Sequence, residues 1–171
     1  FDKCFPEINN KKIDLAVGAI IVTKERKEKY LFSMPYFLSN GRFIVLKGKF
    51  QSIDDLKGKV IGTIRGRVYE DFIIKKLGSA TKIRAFPHTP DMLFSLSIGQ
   101  IDAALTDEKP AEYWVANEDK LQFLGPSFQM GSGYAIMAKK SNKNLIDKIN
   151  QVILKMENDG SYLKIYKNYF D

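Results

Sequence analysis

Between residues 59 and 124, strand signals and helix signals alternate without a break. Residues 59–64 (KVIGTI), 82–86 (KIRAF), 101–105 (IDAAL) and 121–124 (LQFL) read as strands. Helical segments separate them. In residues 69–77, Phe72, Ile73 and Leu77 share one face, and Gly78 follows. Thr89-Pro90-Asp91 supplies a cap, a proline for the first turn and an acid near the positive helix end. Residues 110–116 form the third. This order predicts an α/β fold with a mostly parallel sheet and helices on both faces. In such sheets ligands sit beyond the carboxyl ends of the strands. Two places meet that rule: the turn Ile64-Arg65-Gly66-Arg67-Val68 and the pair Thr106-Asp107.

The flanks follow the same reading. Residues 13–22 (IDLAVGAIIV) are expected to be a buried strand and its exit, residues 24–30 a charged break and residues 41–46 a second strand. Ser52 and Asp55 mark a short capped helix closed by Gly58. Residues 134–138 read as a strand. Leu145, Ile146, Ile149, Val152, Ile153 and Met156 then recur at helical spacing up to Asp159-Gly160. Tyr162, Ile165, Tyr166 and Tyr169 continue on a last helix. Such stripes are expected in a core.

Composition narrows the chemistry. Of 171 residues, 44% are apolar, enough for a core. The net charge is +7, but lysines are interleaved with acids, as in Lys24-Glu25-Arg26-Lys27-Glu28-Lys29. That pattern suits a solvated face, so no nucleic-acid partner is expected. One cysteine, Cys4, and one histidine, His88, cannot build a zinc site or a redox pair. No phosphate-binding or dinucleotide motif is present, and no cofactor or metal is expected.

The segments Val22-Thr23-Lys24-Glu25-Arg26 and Phe32-Ser33-Met34-Pro35-Tyr36 resemble the signature of the bacterial extracellular solute-binding proteins, family 3. The likeness continues through Asp55-Leu56-Lys57-Gly58-Lys59 and Gly99-Gln100-Ile101-Asp102-Ala103-Ala104, then Asp159-Gly160-Ser161-Tyr162 and Tyr169-Phe170. It covers nearly the whole chain in order. The resemblance implies a two-lobed type II periplasmic-binding-protein fold. Residues 1–47 would be part of lobe 1 and the first hinge strand. Residues 48–131 would be lobe 2. Residues 132–171 would be the return strand and helices packing on lobe 1. The crossings would be residues 42–47 and 134–139. The family's opening strand–helix–strand, one often aromatic wall of the pocket, would stand ahead of Phe1. Lobe 1 is therefore expected to be incomplete.

The resemblance also implies a function and a site. The expected function is periplasmic binding of a free polar or charged amino acid, delivered to an ABC-transporter membrane permease by hinge closure. A monomer is expected, unless another chain supplies the missing segment. Arg26 would take the carboxylate with its planar guanidinium. Backbone groups near Arg67 and Val68 would add donors at a helix N-terminus. Asp107 would take the ammonium. Gly18 and Ala19 would act through backbone groups. Ile21 stands where relatives often carry a hydroxyl, and Ile64 leads into the turn. Competing readings are an ion pair of Arg26 with Glu25 or Glu28, and Asp107 as a helix cap. Arg65 and Arg67 fit either an acidic side chain or a solvated lip, and His88 fits a cleft floor or a loop. The alternative functions are a dehydratase-type enzyme, with Glu108 as its acid or base, and a ligand-sensing module. No enzymatic activity is expected.

Overall fold

The computed structural model describes residues 3–66 and 68–170. The chain divides into two compact units. The first is Phe1–Leu38 with Gly131–Asp171, and the second is Ser39–Met130.

The first unit opens with α1 (Cys4–Asn9), β1 (Leu15–Ala16), α2 (Lys24–Lys29) and β2 (Tyr30–Phe32). The second holds β3 (Asn40–Leu46), a 3-10 turn at Ile53–Leu56, β4 (Val60–Ile64), α3 (Tyr69–Leu77), β5 (Lys82–Phe86), α4 (Thr89–Ser97), β6 (Ala103–Asp107), α5 (Glu108–Asn117) and β7 (Leu121–Gln129). The chain returns to the first unit with β8 (Met137–Lys139), α6 (Lys143–Asn158) and α7 (Ser161–Phe170).

The sheet of the second unit has the order β5-β4-β6-β3-β7. β5, β4 and β6 run parallel, and β3 lies antiparallel to both β6 and β7. The sheet is therefore mixed, with β3 alone opposed to the other strands. Alternation along β3 divides the two faces. Ile44 packs with Met92, Leu93 and Leu96 of α4 and Ala111 of α5. Gly41, on the other face, approaches Tyr69 of α3. Helices thus cover both faces, and central β6 is buried along its whole length. The capping box forms as expected: the Asp55 carboxylate accepts from the Ser52 N–H at 2.9 Å and the Gln51 N–H at 3.0 Å.

The second unit begins at Ser39, and all of β3 pairs inside its sheet, whereas the resemblance put the first crossing at residues 42–47. In the first unit, β8 pairs antiparallel with β1 and β2. The expected strand over residues 13–22 is interrupted. Ala19 takes a left-handed φ of 51°, which a side chain tolerates poorly, and this ends the ladder. The chain recovers pairing afterwards. Ala135 N–H donates to the Ile20 carbonyl at 3.0 Å, and Val22 N–H to the Gly133 carbonyl at 3.0 Å. Gly131 fits there at φ 78° because a Cβ would stand 2.5 Å from the Val22 carbonyl oxygen.

Two further expectations change. Residues 24–30 are not a break: Lys24–Lys29 is a helix whose cap, Thr23, accepts the Arg26 N–H at 3.2 Å. The apolar stripe of the last helices is only partly buried. Ile146 and Ile153 are buried, whereas Val152 is 55% exposed and Leu145, Ile165 and Tyr169 also face solvent. α7 has no buried residue, and its inward contacts are aromatic. Tyr166 and Phe170 pack on Phe37 with centroids 5.7 and 5.0 Å away, and the Tyr162 hydroxyl donates to the Tyr36 carbonyl.

Candidate functional site

The first unit presents Arg26. Its place follows from local folding: Thr23 starts α2, and Arg26 is the residue whose N–H the cap holds. The side chain is half-buried. Its Nη1 donates to the Ile21 carbonyl at 2.8 Å, and its guanidinium carbon stands 5.1 Å from the centre of the Phe5 ring. A guanidinium is planar and carries five N–H donors. A hydrogen bond along its edge and a ring against its face fix that plane.

Ile21 contributes differently from a pocket wall. Its side chain is 1% exposed and its residue bridges Tyr134. What it offers Arg26 is the carbonyl. Gly18 is exposed and Ala19 half-buried. The Ala19 N–H is engaged by the Tyr36 hydroxyl oxygen. Burial pushes the Tyr36 phenol up, and that hydrogen bond acts in the opposite direction.

The second unit presents Asp107, the last residue of β6, with 9% of its surface exposed. Asp107 occupies the N-cap position of α5, but its side chain makes no capping hydrogen bond. The carboxylate is turned elsewhere: Oδ1 accepts the phenol proton of Tyr69, the fully buried first residue of α3. The reading of Asp107 as an ordinary helix cap therefore lacks its defining bond. Tyr69 was not singled out from the sequence. It stands 38 residues from Asp107, and only sheet register brings them together. Gly41 pairs with Asp107 across β3 and β6, and a Cβ on Gly41 would come within 3.0 Å of the Tyr69 ring. The glycine is what admits the tyrosine beneath the aspartate.

The turn after β4 lies at the same sheet end as Asp107, since β4 and β6 run in parallel with Thr63 beside Leu105. Ile64 ends β4 half-buried, Arg65 N–H donates to the Phe86 carbonyl at 2.9 Å, and Gly66 turns at φ 76°. Val68 is the N-cap of α3 and makes no side-chain cap. Arg67, the other residue expected there, lies outside the described residues. His88 occupies the N-cap of α4, one residue before the expected cap Thr89, and is exposed.

Glu108 is the acid nearest to Asp107 in sequence. It accepts from the Asn40 amide at 3.1 Å and pairs with Arg42 at 3.8 Å. The Arg42 guanidinium in turn lies 3.9 Å from the Phe123 ring centre. Among the described residues, no group of three or more His, Cys, Asp or Glu could hold a metal ion, and no helix is long and apolar enough to cross a membrane.

A model of the family "Bacterial extracellular solute-binding proteins, family 3" matches residues 1–171. The chain is 28% identical over 174 residues to the putative ABC transporter arginine-binding protein 2 of Escherichia coli K12, covering 99% of this chain and 71% of that protein. It is 31% identical over 175 residues to the L-cystine-binding protein TcyJ of the same strain, covering 99% of this chain and 65% of that one. Among solved structures, an arginine third transport system periplasmic binding protein from Legionella pneumophila superposes with a TM-score of 0.92 at 37% identity. That match covers 99% of this chain and 78% of the other. The chain thus spans 65% to 71% of the length of these two curated relatives.

Proposed function

Because this chain belongs to the bacterial extracellular solute-binding proteins, family 3, we propose that it captures a free amino acid and delivers it to an ABC importer. The observation that carries this reading is the pair of charged groups held ready, one in each unit. Arg26 is braced by Ile21 and Phe5 for a carboxylate, and Asp107 is braced by Tyr69 for an ammonium. An α-amino acid carries both groups on adjacent atoms.

The ligand's carboxylate suits the Arg26 guanidinium fork, with the Val68 N–H at the start of α3 as a further proposed donor. Its ammonium donates to Asp107, with the carbonyls around Gly18 and Ala19 as further acceptors. Delivery by hinge closure, a population shift, is the mode the family resemblance implies. The chemistry ends there: Glu108, the general acid or base an enzyme would use, is committed to Arg42 and Asn40. Binding without turnover is the reading this favours.

Two of the relatives carry arginine and cystine in their names. A polar or charged amino acid of that kind is the proposed ligand, and the periplasm the proposed location. Calorimetric titration of the protein with each of the twenty amino acids and with cystine tests the proposal. At least one is expected to bind and be recovered unchanged. Binding of none, or conversion of the bound one, overturns it.

A further inference from the structure

We propose that Tyr69 is the positioning residue for the ammonium-binding carboxylate; this rests on the amino-acid reading of Asp107. Tyr69 is fully buried, so it acts on a ligand through Asp107 and not by contact. A carboxylate torsion is broad and nearly two-fold, so an unbraced aspartate samples many planes. The phenol proton on Oδ1 selects one. The bond does a second thing. Tyr69 opens α3, whose N-terminal turn includes Val68. This hydrogen bond therefore ties the ammonium anchor at the end of β6 to the turn proposed to hold the carboxylate. The spacing of the two ligand-reading parts of this unit is set before binding.

The placement of the hydroxyl fits this role and not simple core filling. A phenylalanine would fill the same space without the hydroxyl. The hydroxyl is placed on the one carboxylate that ends β6. Gly41 removes the Cβ that would crowd the ring at 3.0 Å and the Met130 methyl at 2.8 Å.

The test uses Tyr69→Phe, which deletes only the hydroxyl. Wild type and variant are titrated with the amino acid that wild type binds most tightly, and with its analogue lacking the α-amino group. Without the hydroxyl the Asp107 carboxylate must be ordered on binding, which weakens the amino acid roughly 2- to 10-fold. The analogue has no ammonium and is expected to bind both proteins alike, so the preference for the α-amino group falls by the same factor. An equal loss for both ligands shows a structural role only, and no loss for either removes Tyr69 from recognition. Both outcomes overturn the inference while leaving wild-type amino-acid binding intact. If wild type binds no amino acid, the underlying reading falls with it. Should Tyr69→Phe not fold, Gly41→Ala displaces the same ring from the opposite strand. It is expected to cut the same preference, and an unchanged preference overturns the inference.

Discussion

Replacing Arg26 with lysine keeps the charge and removes the plane. In the structure the guanidinium spends Nη1 on the Ile21 carbonyl at 2.8 Å while its face rests 5.1 Å from the Phe5 ring centre. An ammonium is a point charge on a flexible stem and cannot hold that edge, that face and a two-point carboxylate contact together. For a ligand carboxylate, one of two parallel charge-assisted bonds is lost, worth about 1.5–3 kcal/mol, or about 10- to 150-fold in Kd. The ligand-free protein loses less. The Ile21 hydrogen bond and the half-exposed ring contact together contribute about 1–2 kcal/mol, or a fall in Tm of about 2–8 °C. The assay pairs titration calorimetry on the bound amino acid with thermal unfolding of the ligand-free protein. Affinity is expected to fall by at least 10-fold while Tm falls by only a few degrees. A Kd within threefold of wild type, with Tm lowered as described, would refute the reasoning. Arg26 would then be a structural brace for Ile21 and nothing more.

Three other perturbations probe separate parts of the account. Gly131→Ala places a methyl against the Val22 carbonyl at a backbone φ of 78°, and is expected to destabilise by about 2 kcal/mol or more in urea unfolding; a change under about 0.5 kcal/mol would contradict that fit. Asp55→Ala removes the acceptor of two N–H groups and is expected to lower the urea midpoint by the same measurement, against no change if the box is idle. Burial pushes the Asp102 carboxyl up, but the Val60 N–H and the Lys49 ammonium outweigh it and hold the carboxyl below its usual range. A lowered folded-state pKa adds stability that is present above the unfolded value of about 3.9 and is lost as pH falls through the folded value. Asp102→Asn should therefore flatten the loss of stability below about pH 4, and an unchanged acid slope would count against the Lys49–Asp102 pair.

The alternating centre of the chain was readable because each element there carries its own punctuation. Gly58, Gly78, Thr89-Pro90 and Gly99 fall at or beside element ends, so β4, α3, β5 and α4 lie within a residue or two of their expected positions. The segment around residues 13–22 was not readable, because an apolar run does not announce that Ala19 will turn left-handed. The helix Lys24–Lys29 was missed for the opposite reason. Its apolar periodicity is absent, and only Thr23, a cap with strong helix formers after it, marked the start. The last helices carry a helical stripe that periodicity cannot distinguish from a fully covered one; Val152 and Tyr169 show the difference.

The candidate site divides along the same line. Arg26 and Asp107 stand at positions a motif can mark, at a helix's first turn and a strand's last residue. Their supports do not. Phe5 under Arg26 and Tyr69 on Asp107 are joined to them by packing and sheet register, which no local spacing encodes. Gly41 was read only as the start of a strand, yet its missing Cβ is what lets Tyr69 reach the carboxylate.

The most direct measurement is a crystal structure of the protein grown with its tightest-binding amino acid. The account predicts the ligand's carboxylate on the Arg26 guanidinium and its ammonium on the Asp107 carboxylate, with the Tyr69 hydroxyl still on Oδ1. A ligand that touches neither side chain, or one that reverses the two ends, would contradict it.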